Sequence, residues 1–339
     1  MTDTAFAFGL GVGTHNSAGE WLEVFYPAPV VNPSPAVIEA ATSCDSGTAL
    51  TTQQLDALAS ALSDSGETAQ AAIATQFRDT ARPVVAVLLA EDAPPKNVPE
   101  GYLKLHLLSH RLVPPHGTDL GGLFGVLPNV AWTSEGAIDI SELPQRQLEA
   151  RLRGDVLEVS CVDKFPKMTN YVVPEGVRIA HTARVRLGAH LGEGTTVMHE
   201  GFVNFNAGTD GPGMIEGRIS AGVRVGSGSD LGGGCSTIGT LSGGGDIVIS
   251  VGKECLIGAN AGIGIPLGDR CTVEAGLFVT AGTKVTMLDA DSMPVETVKA
   301  RELVGKSDLL FRRNSTTGAV ECLTNRSAIE LNEELHAHN

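Results

Sequence analysis

The sequence has few aromatic residues and little positive charge. Phenylalanine, tryptophan and tyrosine make up 4% of its 339 residues, so we expect a narrow core of valine, isoleucine and leucine. Lysine and arginine number 24 against 39 aspartates and glutamates, which gives a net charge of −15. This balance argues against nucleic acid or an anionic membrane as a partner. An anionic ligand would need a local cluster of basic side chains.

Signals for export, for membrane insertion and for a cysteine-based zinc site are also missing. The sequence contains no secretory signal region and no run of eighteen apolar residues, so we expect a cytoplasmic protein. Its six cysteines have no C-x-x-C spacing, which favours reduced structural thiols over disulfides or zinc ligands. Gly9, Gly11 and Gly13 resemble part of a dinucleotide-binding motif, but the full G-x-G-x-x-G is absent and a glycine-rich turn is predicted instead.

The strongest pattern in the sequence is a six-residue repeat between Ile179 and Val285. A period of six matches neither a helix nor a simple strand. Six residues make one short strand and a corner, and three such sides make a coil that stacks on the next. The repeated positions are Ile179, Val185, Leu191, Val197, Val203, Ile219, Val225, Leu231, Thr237, Val251, Ile257, Ile263, Leu267, Val273, Val279 and Val285. The repeat predicts a mainly β fold, a left-handed parallel β-helix. A β-sandwich is the weaker alternative because sandwich strands keep no fixed step of six.

We predict four segments along the chain. They are an N-terminal α/β domain at 1–105, a helical and strand connector at 106–168, the β-helix at 169–288 and a C-terminal extension at 289–339. Predicted strands are 6–12, 21–26, 83–90 and 156–162; predicted helices are 51–62, 67–78, 102–112 and 141–153, with a linker at 91–101. The extension is expected to hold a hairpin of 308–312 and 319–323 and a helix opened by a capping box at Ser327.

Two stretches break the six-residue step, at 204–213 and 238–249. Loops that leave a rigid solenoid often carry binding and catalytic groups. We therefore expect functional residues beside these interruptions.

Several motifs in and around the repeat resemble one family of enzymes. They are Met198–Thr209, Met214–Ser220, Gly232–Ser236, Leu241–Gly245, Val273–Leu277 and Phe311–Ser315. Together they resemble the tetrahydrodipicolinate N-succinyltransferases, in the longer form of actinobacteria and pseudomonads, from about Tyr102 to the C-terminus. The resemblance implies transfer of a succinyl group from succinyl-CoA to the amine of L-2-amino-6-oxopimelate. It also implies a homotrimer with active sites in clefts between neighbouring β-helices.

The resemblance assigns Glu216 to the chemistry. The matching glutamate of the family forms an acyl anhydride, and a role as general base toward the amine stays open. An ion pair between Glu216 and Arg218 is the purely structural alternative. The donor site implied by the resemblance comprises Arg218, Gly233, Ser236, Ala259, Glu274, Ala275, Gly282, Lys299, Arg312, Arg313, Asn314 and Ser315. Lys299, Arg312 and Arg313 supply the basic cluster that an anionic CoA needs.

A metal ion is implied only weakly. By resemblance, Glu200 meets its symmetry mates around a structural Mg²⁺ on the trimer axis, but Ala183 stands at the family's second metal position and cannot be a ligand. His181, His190 and His199 are spaced by nine, which leaves a zinc enzyme or a non-catalytic scaffold as one alternative, with His199 as a reserve base. An acetyl-CoA-dependent acetyltransferase of the same fold is the other alternative.

Overall fold

The computed structural model describes residues 4–239 and 247–324. The chain divides into two compact units. The first comprises 1–113, 117–166 and 170–172, and the second 114–116, 167–169 and 173–339. The four-segment division stays a prediction. The motif at Leu241–Gly245 and the helix expected from Ser327 lie outside the described residues.

The first unit combines two small antiparallel sheets with helices. Its strands are β1 (Ala7–His15), β2 (Trp21–Phe25), β3 (Val30–Val31), β4 (Val84–Leu89), β5 (Val130–Thr133), β6 (Gly136–Asp139) and β7 (Val159–Asp163). Its helices are α1 (Pro35–Ala41), α2 (Thr52–Asp64), α3 (Thr68–Gln76), α4 (Val98–Ser109), α5 (Leu123–Val126) and α6 (Leu143–Leu152), with a 3-10 turn at Phe77–Asp79. One sheet joins β1 to β2, β3 and β4, and the other has the order β6-β5-β7. Helices α1, α2 and α3 bury their apolar faces with β1 and β4 in one core.

The glycine-rich segment lies inside β1, so the predicted turn is wrong. A β-carbon on Gly9 would lie 2.7 Å from the Tyr26 ring, and one on Gly11 would lie 2.8 Å from it. Tyr26 is fully buried. The glycines therefore let an aromatic ring pack flat on the strand, a structural use of small residues in a sheet.

Capping side chains decide where the helices begin. The Thr51 and Gln54 capping box opens α2, which confirms the helix predicted at 51–62. Helix α4 begins at Val98 rather than Tyr102, because the Asn97 side chain accepts a hydrogen bond from the Glu100 amide; the predicted linker therefore ends earlier than expected. Ser141 does not cap α6, since its hydroxyl donates to Asp139. Helix α1, capped by Ser34, was not predicted.

The second unit is a stack of short strands. They are β8 (Arg178–Ile179), β9 (Ala189–Leu191), β10 (Thr195–Val197), β11 (Phe202–Val203), β12 (Ala207–Thr209), β13 (Gly213–Ile215), β14 (Arg218–Ile219), β15 (Arg224–Val225), β16 (Asp230–Leu231), β17 (Ser236–Thr237), β18 (Ser250–Val251), β19 (Leu256–Ile257), β20 (Gly262–Gly264), β21 (Thr272–Val273), β22 (Phe278–Thr280), β23 (Lys284–Leu288), β24 (Pro294–Lys299), β25 (Leu309–Arg313) and β26 (Val320–Thr324). Three 3-10 turns flank or interrupt them, at Met168–Asn170, Thr182–Arg184 and Ala300–Leu303. The mainly β prediction is confirmed.

These strands form three sheets, one on each side of a coil. Sheet A is the continuous run β8-β10-β13-β16-β19-β21-β25, sheet B is β11-β14-β17-β20-β22, and sheet C is β9-β12-β15-β18. All pairs within these three runs are parallel, and the repeat positions stack on one another. Val197, Ile215 and Ile257 are fully buried. The aliphatic column predicted from the six-residue step is confirmed.

The interruption predicted at 204–213 is wrong, because the coil continues through it. Strands β12 and β13 place Thr209 and Ile215 at the inward positions. Thr209 is 2% exposed, and its hydroxyl lies 2.7 Å from that of Thr195, so the polar groups are satisfied inside the column. The step that departs from six residues instead lies between the inward residues Ile215 and Ile219.

Past Val285 the solenoid is closed by antiparallel strands. Strands β25 and β26 form the predicted hairpin, with Phe311 opposite Cys322. β25 also pairs with β21, which places the hairpin on the last coil, and β23 pairs with β24. All six cysteines are free thiols. Among the helices of 4–239 and 247–324, none is long and apolar enough to cross a membrane.

Candidate functional site

Glu216 lies in a corner of the solenoid that is shorter than its neighbours. Between sheets A and B, the inward residues of most coils are six apart, as in Val197 to Val203 and Leu231 to Thr237. In the coil between these two, Ile215 and Ile219 are only four apart, yet they stay in register with Val197 and Val203. We call residues 216–218 the short corner. Because fewer residues bulge from the edge there, Glu216 lies between two larger corners.

Glycines pack the coils closely around the short corner. A β-carbon on Gly217 would overlap the Cys235 sulfur, and one on Gly201 would overlap the Ile215 carbonyl oxygen. A β-carbon on Gly233 would have one neighbour within 4 Å, a Glu216 carboxylate oxygen at 3.5 Å. The carboxylate therefore faces bare backbone in the next coil, which leaves room for a ligand to approach.

The Glu216 carboxylate has no hydrogen bond and no ion pair with any residue that the structure describes. The Arg218 guanidinium instead donates to the Ser236 hydroxyl at 2.9 Å, so the Glu216–Arg218 ion pair is not formed. The backbone of Glu216 is fixed, since its amide donates to the Leu231 carbonyl oxygen at 2.8 Å. A half-buried carboxylate on a rigid corner, with its oxygens unused, is equipped to attack an electrophile or to take a proton.

Four of the predicted donor residues, Gly233, Ala259, Glu274 and Ala275, lie along the same edge of the solenoid as Glu216. A β-carbon on Gly232 would lie 2.8 Å from the Ala259 nitrogen, and one on Gly258 would lie 2.5 Å from the Ala275 nitrogen. One coil further, the Arg313 amide donates to the Glu274 carboxylate at 2.6 Å. The edge therefore leads from Glu216 past Ala259 and Ala275 to β25. Glu274 is exposed, but one of its carboxylate oxygens is already engaged by the backbone of β25, so it is a less available base than Glu216.

The outer face of sheet B lies next to this edge and forms a flat surface, which we call the ledge. Arg218 and Ser236 are register partners on it, and Gly262 and Phe278 follow in the next two coils. A β-carbon on Gly262 would overlap the Phe278 ring, so the ring lies down over the glycine, 45% exposed. Gly262 and Phe278 were not predicted from the sequence. The signal was available, because both precede an inward residue of the six-residue step and so point outward.

The predicted basic cluster is divided between structural and exposed groups. Arg312 donates to Glu321 at 3.0 Å and Asn314 donates to the same carboxylate at 2.7 Å, so both hold the hairpin together. The hydrogen bond from Asn314, followed by that from Arg312, lowers the pKa of the Glu321 carboxyl despite its burial. Arg313 and Ser315 are exposed.

Lys299 lies opposite Lys284 in the β23–β24 pair, near the open turn at Gly282. Lys284 was not predicted from the sequence. Both lysines are exposed, so this end of the solenoid presents ammonium groups that make no structural ion pair among the described residues. Such groups are suited to binding phosphate.

A groove of about 400 Å³ follows the outer face of sheet A up to Met214, two residues before Glu216. Arg178 and Asp230 are the charged residues in its wall. Asp230 accepts a hydrogen bond from the Met214 amide at 2.8 Å, whereas Arg178 is exposed. Neither Arg178 nor Asp230 was predicted from the sequence as a site residue. Both occupy the outward position just before an inward aliphatic residue, the same signal that marks Gly262.

The surroundings of Glu200 within this chain give no support to a Mg²⁺ site. Arg184 donates to the backbone carbonyl oxygens of Glu200 at 2.9 Å and Gly201 at 3.0 Å, so a guanidinium lies against the backbone of this segment. Ala183 offers no ligand. Within the described ranges, no three histidine, cysteine, aspartate or glutamate side chains converge as a metal site. His199 is exposed on the same edge of the solenoid as Glu216, one coil earlier in the chain.

Two family models match this chain. The one described as "Tetrahydrodipicolinate N-succinyltransferase middle" matches residues 127–167. The one described as "Hexapeptide repeat of succinyl-transferase" matches residues 248–281. The second match falls on the solenoid that carries the donor edge.

Full-length relatives share most of the sequence. A protein of Pseudomonas paraeruginosa named 2,3,4,5-tetrahydropyridine-2,6-dicarboxylate N-succinyltransferase is 65% identical, over 100% of both chains. A protein of Vibrio cholerae with the same name is 59% identical, over 98% of this chain and 99% of the relative. A crystal structure from Campylobacter jejuni, titled as a putative 2,3,4,5-tetrahydropyridine-2-carboxylate N-succinyltransferase, is 34% identical with a TM-score of 0.87, and the match covers 96% of this chain and 93% of that one.

Proposed function

The chain belongs to the family of 2,3,4,5-tetrahydropyridine-2,6-dicarboxylate N-succinyltransferases, and we propose that Glu216 performs the family's chemistry in this protein. The enzyme transfers a succinyl group from succinyl-CoA to the amine of L-2-amino-6-oxopimelate, the ring-opened form of its named substrate. The product is N-succinyl-2-amino-6-oxopimelate, in the diaminopimelate and lysine pathway. The observation that carries the role of Glu216 is its unpaired carboxylate in the short corner.

A carboxylate can transfer the acyl group in two steps. A Glu216 oxygen attacks the thioester carbonyl, the C–S bond breaks, and CoA leaves as a thiolate that takes up a proton. The amine, in its neutral form, then attacks the succinyl carbonyl of the mixed anhydride; the C–O bond to Glu216 breaks and the amine loses a proton. A mixed anhydride reacts with water, so the bound substrates must cover the short corner. General-base catalysis by Glu216 is the alternative and forms no bond to the enzyme.

The donor is held along the edge and the ledge. The backbone at Gly233, Ala259 and Ala275 lets the pantetheine arm approach closely, because only small side chains intervene. The Phe278 ring offers the arm an apolar surface. At the far end, Lys284, Lys299 and Arg313 bind phosphate oxygens of CoA. This arrangement places the thioester at the opposite end of the arm, toward Glu216.

The acceptor is held in the groove of sheet A. Arg178 is positioned to pair with one carboxylate of the aminopimelate, and the groove ends at Met214, beside the short corner. The amine then faces Glu216. Arg218, fixed by Ser236, is available to the succinyl carboxylate.

The finer features of the assembly are also proposals. The coils wind left-handed and three chains associate, so that a neighbouring chain closes the groove; the six-residue repeat and the family support this. A cytoplasmic location is supported by six free thiols. The proposed reaction needs no metal ion, because the Glu216 carboxylate and the activated thioester supply every bond that forms or breaks.

The donor preference tests the activity directly. We expect free thiol to appear when the full-length protein is mixed with succinyl-CoA and the aminopimelate. Acetyl-CoA should react at least about 10-fold more slowly in kcat/KM, because it lacks the carboxylate that a guanidinium recognises. Thiol release measured with each donor in turn gives the ratio. Equal rates with both donors would favour the acetyltransferase alternative, and no release with either would reject the activity.

Two variants separate the donor and acceptor sites. Lys299→Ala should raise the KM for succinyl-CoA about 5-fold and leave the KM for the aminopimelate unchanged. Arg178→Ala should raise the KM for the aminopimelate about 10-fold and leave the KM for succinyl-CoA unchanged, since it loses a charge-assisted contact with the acceptor. Lys253→Ala removes another exposed lysine, on a different edge of the solenoid, and serves as the control. Steady-state kinetics with each substrate varied in turn gives both constants, and a shift in the wrong KM would place the substrates differently.

A further inference from the structure

The first unit contains a second cavity that the transfer reaction does not use. It has a volume of about 380 Å³ and is lined by residues of β1, β2, β5, β6 and β7 and by Arg82, Ser134, Asn170 and Tyr171. This volume lies within the range of small-molecule sites. Its walls include three aromatic side chains, Phe25, Trp132 and Tyr171. None of the residues proposed for succinyl transfer contributes to it.

A carboxylate and a guanidinium meet at this cavity without a direct ion pair. Thr14 donates to one Glu23 oxygen at 2.6 Å, and Tyr171 donates to the other at 3.1 Å. Arg82 donates to the Thr14 hydroxyl oxygen at 2.8 Å. The single hydroxyl therefore joins both charged groups, and Arg82 Nη1 lies no farther than about 5.4 Å from Glu23 Oε1.

Both charged groups keep hydrogen-bonding capacity for a ligand. A carboxylate has about four lone-pair sites, and Glu23 receives one donor on each oxygen. Arg82 is exposed, and its remaining N–H groups make no hydrogen bond with the described residues. Burial raises the pKa of the Glu23 carboxyl, although Thr14, Tyr171 and Arg82 act in the opposite direction. A cation placed beside Glu23 would offset that cost of desolvation.

The spacing of the two charges selects the ligand. In a free α-amino acid the ammonium nitrogen and the carboxylate oxygens are about 3 Å apart, so one molecule can reach both Glu23 and Arg82. The aromatic walls suit an apolar side chain and also attract the ammonium group. A simple carboxylate or a simple amine would satisfy only one of the two charges.

We propose that this cavity binds a free α-amino acid, with the ammonium group on Glu23, the carboxylate on Arg82 and the side chain against Phe25, Trp132 and Tyr171. This assignment does not depend on the proposed succinyl transfer. Either the amino-acid site or the transferase site can therefore be disproved while the other stands. The site would give the first unit a ligand of its own.

Calorimetric titration of the full-length protein with each of the twenty protein amino acids tests the proposal. We expect at least one to bind with a dissociation constant below about 1 mM. The N-acetyl and the amide derivatives of that amino acid should each bind at least 10-fold more weakly, because each removes one charge. Arg82→Ala and Glu23→Gln should weaken binding to the same degree. Arg151→Ala and Glu39→Gln change exposed residues of the same unit and should leave it unaltered.

Arg82 is exposed, so its replacement does not endanger folding, and its result stands even if Glu23→Gln proves unstable. Binding by no amino acid would overturn the proposal. So would unchanged affinity in Arg82→Ala, or equal affinity for the N-acetyl derivative. Retained thiol release by Glu23→Gln would show in the same preparation that the transferase is intact.

Discussion

Replacing Glu216 by glutamine lowers kcat by at least about 1,000-fold, whichever of its two roles is correct. Glutamine keeps the shape of the side chain but is a poor nucleophile and does not accept a proton at neutral pH. Because the carboxylate makes no hydrogen bond or ion pair with the described residues, its replacement by an amide removes no polar interaction that holds the fold. Steady-state thiol release, with both substrates saturating, measures the effect.

The control for this variant is Glu254→Gln, which alters an exposed glutamate at a corner between sheets C and A. We expect wild-type kcat for it. Both variants should show the same mass in solution and the same urea midpoint as the unaltered protein. A Glu216→Gln protein with the normal mass and more than about a tenth of the normal kcat would remove Glu216 from the chemistry.

Replacing Gly208 by alanine destabilises the solenoid by more than about 4 kcal/mol. Gly208 pairs with His190 on one side and Arg224 on the other, and its φ of +155° is one that L side chains rarely adopt. A β-carbon there would overlap the His190 carbonyl oxygen, which belongs to the neighbouring strand. The overlap can be removed only if the two strands separate. Their separation breaks the parallel pairing that holds adjacent coils of the solenoid together.

Urea unfolding of the full-length chain, followed by circular dichroism, measures this loss. Gly282→Ala is the matched change, because a β-carbon on Gly282 meets nothing within 4 Å and its φ is not positive. We expect its urea midpoint to be close to that of the unaltered protein. A Gly208→Ala protein with an unshifted midpoint would mean that the coils tolerate a wider spacing than the structure shows.

The solenoid could be predicted because its core repeats along one dimension. Val197, Ile215 and Ile257 are buried by their equivalents in adjacent coils, so burial follows directly from the spacing in sequence. The prediction failed where a polar residue took an inward position. Thr209 hides its hydroxyl against Thr195, and an interruption was therefore expected where the coil in fact continues.

The candidate site was only partly accessible from the sequence. Glu216 came from a family resemblance, and the short corner that sets it apart needed the register of four strands. Arg312 and Asn314 looked like phosphate ligands as basic and polar residues, but Glu321 engages both from the partner strand of the hairpin. A sequence pattern shows which side chains are present; it does not show which of them are already paired.

The most direct test of the account is mass spectrometry of the peptide that contains Glu216. The full-length protein is mixed with isotopically labelled succinyl-CoA without the aminopimelate, quenched in acid within milliseconds and digested. We predict a labelled succinyl group on Glu216 that disappears when the acceptor is added before the quench. Turnover at the normal rate with no label on Glu216 at any time would contradict the covalent route.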